Sequence, residues 1–154
     1  MKVIWKGWAM PNSTLPNARS GRSFARLLDA ATFVWGVAGA TALVSKGAHD
    51  AGGQVGWPRW WELTYVTAVV VAGMALAVAG WAKWRARHAG AVLADERTAA
   101  THLRATAAAL VGALAVQLPF FFRIEVPSVA QAQFTVAGAL AAYGAARLWF
   151  NRDA

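Results

Sequence analysis

Four stretches of the chain are apolar for about 18 residues or more, the length at which a segment becomes a candidate for crossing a bilayer. Short segments rich in Arg, Lys, Gly and Pro separate them. A membrane helix needs about 20 mostly apolar residues, because a hydrocarbon core about 30 Å thick is crossed at about 1.5 Å per residue. The pattern predicts spans at 27–45, 61–82, 103–122 and 129–150. None of these runs alternates with period two, so the strands of a β-barrel are not indicated. A soluble Ala-rich helical bundle would show a polar face with period 3.6, and the stretch TAVVVAGMALAVAGWA at 67–82 has none. The expected fold is all-α: an integral membrane four-helix bundle made of two antiparallel hairpins. A basic, interfacial segment at 1–26 precedes it, and a short tail at 151–154 follows.

Composition agrees with this reading. The chain is 58% hydrophobic and 14% charged, where a soluble domain carries about 25% charged residues. It has no Cys, which removes thiol nucleophiles, thiolate metal sites and redox pairs.

Charge sets the expected orientation. Lys and Arg near span ends mark the cytoplasmic side. Twelve of the 15 fall on one side: Lys2, Lys6, Arg19, Arg22, Arg26, Lys83, Arg85, Arg87, Arg97, Arg104, Arg147 and Arg152. Lys46, Arg59 and Arg123 fall on the other. Both termini and the central loop are therefore expected in the cytoplasm, with the net charge of +8 facing anionic lipid headgroups. These charges are divided among span flanks and form no stripe, which argues against nucleic acid as a partner. Trp57, Trp60 and Trp61 at the outer end of the second span, and Trp81 and Trp84 at its inner end, suit the headgroup level.

Ionisable and polar residues inside spans are the candidates for function. Asp29 stands about one turn inside the first span and is expected to pair with Arg26, Arg104 or Arg147. Gln117 and Gln133 are equally distant from Glu125, at the turn between the third and fourth spans, so they are expected side by side. Thr41 and Tyr65 reach a comparable depth, which makes the four an intramembrane polar cluster: interhelical glue, or a small pocket opening outward. Small residues three or four apart on every span, such as Gly36 and Gly39, Gly73 and Ala77, Ala109 and Gly112, and Gly138 and Ala142, are expected to let the helices approach closely. The three His residues, His49, His88 and His102, fall in or beside the expected loops, and none forms a metal-type pair. No catalytic or cofactor motif stands out, so no cofactor and no enzymatic activity are expected.

The central loop reads Leu93-Ala94-Asp95-Glu96-Arg97-Thr98. Its Asp-Glu-Arg triplet before the third of four spans resembles a family of small, uncharacterised prokaryotic membrane proteins, a domain of unknown function. The resemblance implies a four-span protein of a prokaryotic inner membrane and carries no activity with it. Asp95 and Glu96 suit the first turn of a helix, where acids complement the positive end of the dipole. Together with Arg97 they are a candidate brace for the hairpin, or a docking site for a cytoplasmic partner. The functional expectation is an accessory, scaffold or regulatory subunit acting by interaction with a protein partner or a second copy. The alternative is one subunit of a small homo-oligomeric transporter or channel, of small-multidrug-transporter size.

Overall fold

Pro58 and Pro127 each stand immediately before a helix, where a residue without an N–H costs no helical hydrogen bond. Their carbonyls accept from Trp61 (2.8 Å) and Gln131 (3.0 Å). A computed structural model describes residues 18–52, 58–88, 96–122 and 125–152. They form four helices: α1 (Ala18–Ala51), α2 (Arg59–His88), α3 (Glu96–Phe121) and α4 (Ser128–Asn151). α1, with 34 residues, is about 51 Å long at 1.5 Å per residue. α1 and α2 thus run past both ends of the apolar stretches that announce them and α3 past the start of its own, where Arg, Lys and Ala are good helix formers, while α4 keeps to its stretch within a residue. All three His residues lie within helices as a result.

The helices are joined in the order α2–α1–α4–α3. α1 packs on α2 and α4, and α4 packs on α1 and α3. Among the described residues, α2 and α3 nowhere bring Cα atoms within 8 Å of each other. Neighbours run antiparallel. Trp61 at the start of α2 donates to the Ser45 carbonyl near the end of α1 (3.1 Å). Gln133 at the start of α4 reaches Asp50, also near the end of α1.

Small residues make the contacts. Among the described residues the buried apolar side chains are all Ala, such as Ala31, Ala38, Ala68, Ala82, Ala105 and Ala137. Many of the Leu, Val, Met, Phe and Trp side chains point outward, among them Leu110, 63% exposed, and Phe121, 80% exposed. This is the reverse of a water-soluble core, and it suits a solvent as apolar as Leu itself. A Cβ on Gly36 would meet the Leu140 carbonyl oxygen at 2.7 Å and Gly144 Cα at 3.3 Å, so α1 and α4 touch backbone to backbone. α3 and α4 meet the same way: a Cβ on Gly112 would stand 2.6 Å from Ala142 Cβ and 2.7 Å from the Gly138 oxygen.

Three helices contain segments long and apolar enough to cross a membrane: Ser23–Ala51, Arg59–His88 and Ala99–Phe121, with mean hydropathies of 1.6, 2.0 and 1.5. The fourth expected span is not among these three. α4, at 24 residues, is long enough but not apolar enough. The reason is its place in the fold. It lies between α1 and α3, and it carries the Gln, Thr, Tyr and Arg side chains that bind those neighbours.

Candidate functional site

Two polar networks occupy the two ends of the bundle, and α4 supplies side chains to both. At 100° per residue, positions 133, 137, 140, 144, 147 and 151 of α4 form one stripe, and 131, 135, 138 and 142 form another on the opposite side. The first faces α1, where Leu140 and Gly144 meet Gly36. The second faces α3, where Gly138 and Ala142 meet Gly112.

The inner network is built on Asp29 of α1, which is 6% exposed, and Arg147 of α4, which is 7% exposed. Arg147 donates to Asp29 Oδ1 through Nη2 (2.6 Å) and Nε (3.1 Å). Asn151, one turn further along α4, donates to Asp29 Oδ2 at 2.8 Å. Both carboxylate oxygens are therefore occupied. Thr101 of α3 donates to the Asn151 amide oxygen (3.2 Å). His102, next to it, stands 2.8 Å from the Tyr143 hydroxyl through Nδ1 and 3.4 Å from Arg147 Nη1 through Nε2. A guanidinium has no acceptor, so Nε2 faces it as an acceptor and Nδ1 carries the proton toward Tyr143. Three helices are thus tied through one carboxylate and one guanidinium. A buried pair of this kind is costly to desolvate and still more costly to break.

Of the cations expected near Asp29, it is Arg147 that holds it. Arg104 lies instead over the Phe150 ring, at 5.7 Å from its centroid. His102 is a correction: it lies within the apolar segment of α3 and belongs to the network, because α3 begins seven residues before the expected span. Tyr143, Asn151 and Thr101 are not singled out by the sequence pattern. The spacing of 143, 147 and 151 on one face of α4 was the available signal.

The outer end corrects the expected pairing of Gln117 with Gln133. Gln117 accepts at Oε1 from Gln131 Nε2 (2.7 Å) and donates to the Thr135 hydroxyl. Thr135 in turn donates to the Gln131 carbonyl (2.8 Å), which closes the ring. Gln133 donates instead to Asp50 Oδ2 (2.9 Å), and Lys46 pairs with Asp50 Oδ1. Two residues are 200° of helix rotation, so Gln131 faces α3 while Gln133 faces α1. The Gln133 Oε1 atom is buried without a hydrogen-bond partner.

Thr41 and Tyr65 do not join these amides. Tyr65 is on α2, which packs only against α1. Thr41 lines an open groove of about 420 Å³ between α1 and α2, with Leu63, Thr64, Thr67 and Val71. The Thr41 and Thr64 hydroxyls donate to the Val37 and Trp60 carbonyls of their own helices. Asp95 lies outside the described residues, as do the side chains of Glu96 and Arg97. Among the described residues, no three His, Asp or Glu side chains converge as metal ligands.

Comparison with protein-family models, with curated proteins and with solved structures finds no match to this chain.

Proposed function

We propose that this chain is a small multi-pass protein of a prokaryotic inner membrane that crosses four times, keeps both termini in the cytoplasm, and acts by interaction rather than by catalysis. One observation carries the reading. The polar groups inside the bundle are spent on tying helices together, while α2 and α3, each packed on a single neighbour, offer broad apolar faces outward. Such a molecule suits an accessory, scaffold or regulatory subunit. Because α4 lies between α1 and α3, its polar stripes are sheltered and it can cross with them. The Asp-Glu-Arg triplet at 95–97 stands at the cytoplasmic end in this topology, where it can brace the hairpin or receive a soluble partner.

The carrier alternative requires an acid free to exchange its proton or ligand. Asp29 accepts from Arg147 and Asn151 at both oxygens, which favours a structural role. Cross-linking in native membranes and uptake into reconstituted vesicles test the two readings together. The expected result is a stoichiometric complex, with another subunit or a second copy, and no uptake that depends on Asp29. Proton-driven uptake that disappears in Asp29→Asn would replace this reading with the carrier.

A further inference from the structure

α4 differs from the other three helices in where its polar side chains find partners. Thr32 and Thr41 of α1, Thr64 of α2 and Thr106 of α3 each donate to the carbonyl four residues back in their own helix. A hydroxyl satisfied in this way can enter lipid without help from a neighbour. On α4 the partners lie across helix boundaries. Gln131 donates to Gln117 of α3 (2.7 Å) and Gln133 to Asp50 of α1 (2.9 Å). Tyr143 stands 2.8 Å from His102 of α3. Arg147 and Asn151 donate to Asp29 of α1 (2.6 and 2.8 Å).

Hydropathy points the same way. α1, α2 and α3 each contain a segment long and apolar enough to cross a bilayer, and α4 does not. Alone in hydrocarbon, its amides, phenol and guanidinium would have no partner, and each unmet group is costly there. Within the bundle these groups are met, and Arg147 is only 7% exposed. The backbone of α4 is received as well, by Gly36 of α1 on one side and Gly112 of α3 on the other. α1 and α3 precede α4 in the chain, so both are made before it.

We propose that α4 is a conditional span: it crosses the membrane only because α1 and α3 receive its polar side chains, at Asp29 and Asp50 on one side and at Gln117 and His102 on the other. The passage of the C-terminal end is then set by tertiary contacts and not by the hydropathy of α4 itself. This inference rests on the membrane reading above and deepens it.

The test is labelling of the full chain in intact cells with an impermeant thiol reagent, with total thiol counted after permeabilisation. Glu125→Cys and Arg152→Cys, made singly, report the two ends of α4. In the otherwise unchanged chain Glu125→Cys is expected to label from outside and Arg152→Cys is not. The triple change Asp29→Leu, Asp50→Leu and Gln117→Leu makes α1 and α3 more apolar, so their own crossing is not weakened. It should nevertheless raise the share of chains with both ends of α4 on one side several-fold. That share is read as new outside labelling at Arg152→Cys or lost outside labelling at Glu125→Cys. Adding Gln131→Leu with Gln133→Leu, which makes α4 more apolar and keeps Arg147 and Arg152, should restore the original pattern. Glu62→Leu, on a helix that does not pack on α4, should leave it unchanged. Because labelling reads topology, the result does not depend on a stable bundle. An original pattern that survives the triple change would overturn the proposal, as would an equal loss in Glu62→Leu or a loss that the two Gln changes do not repair. Both ends of α4 on one side in the otherwise unchanged chain would instead overturn the four-span reading itself.

Discussion

A single carboxylate, Asp29, organises the inner end of the bundle. It takes two hydrogen bonds from Arg147 and one from Asn151, so three side chains of α1 and α4 depend on one charge. Breaking a buried pair from one side leaves the other charge unpaired, at a cost of about 3–5 kcal/mol, whereas replacing both partners by apolar groups is often neutral. Asp29→Asn and Arg147→Met are each expected to lower stability in detergent by that order. The double variant Asp29→Leu with Arg147→Met should recover most of the loss. Chemical or thermal unfolding of the three variants checks this, and additive losses would show that the pair is not the unit. A residue scan readily singles out Asp29 and Arg147, because a charge in an apolar run stands out. It does not single out Tyr143 or His102, whose part appears only when α3 lies beside α4.

Each helix uses its small residues differently, although all four carry them at similar spacing. Those of α1, α3 and α4 are consumed in backbone contact, as Gly36, Gly112 and Gly138 are. Gly73 and Gly80 of α2 meet nothing within 4 Å. Gly112→Ala would force its methyl against Ala142 and the Gly138 carbonyl, and overpacking of this kind costs about 1–3 kcal/mol. Gly73→Ala and Gly80→Ala face open space and should be neutral, or stabilising by up to about 1 kcal/mol through helix propensity. Unfolding of the three single variants separates the cases. Destabilisation by Gly73→Ala equal to that of Gly112→Ala would mean that α2 has a close neighbour in the membrane.

At the scale of the whole molecule, the antiparallel order places the described cations unevenly. Arg26, Lys83, Arg85, Arg87, Arg104, Arg147 and Arg152 gather at one end, and Lys46 and Arg59 at the other. Positive charge resists translocation, so the richer end is expected inside. The chain is free of Cys, which makes single-Cys labelling direct. A Cys at Glu125 should react with an impermeant reagent on intact cells, and a Cys at Ala91 or Arg152 should not. Labelling at both Glu125 and Arg152 would mean that α4 does not cross.

The helices and their apolar character are legible along the chain, because hydropathy adds residue by residue and needs no neighbour. Their true lengths are less so. The apolar run marks only the part apolar enough to cross a bilayer, while helix-forming Arg, Lys and Ala carry α1 and α3 further. The sites depend on rotation and neighbour order. A shift of two residues turns an α4 side chain from α3 to α1, which is why Gln131 and not Gln133 meets Gln117, and why Gln133 meets Asp50. That α4 lies between α1 and α3, while α2 and α3 stand apart, follows from which glycines let backbones touch. Similar small-residue spacing on all four helices cannot distinguish those pairs. Close packing in three dimensions does, since a Cβ at Gly36 or Gly112 would strike a backbone and one at Gly73 would not.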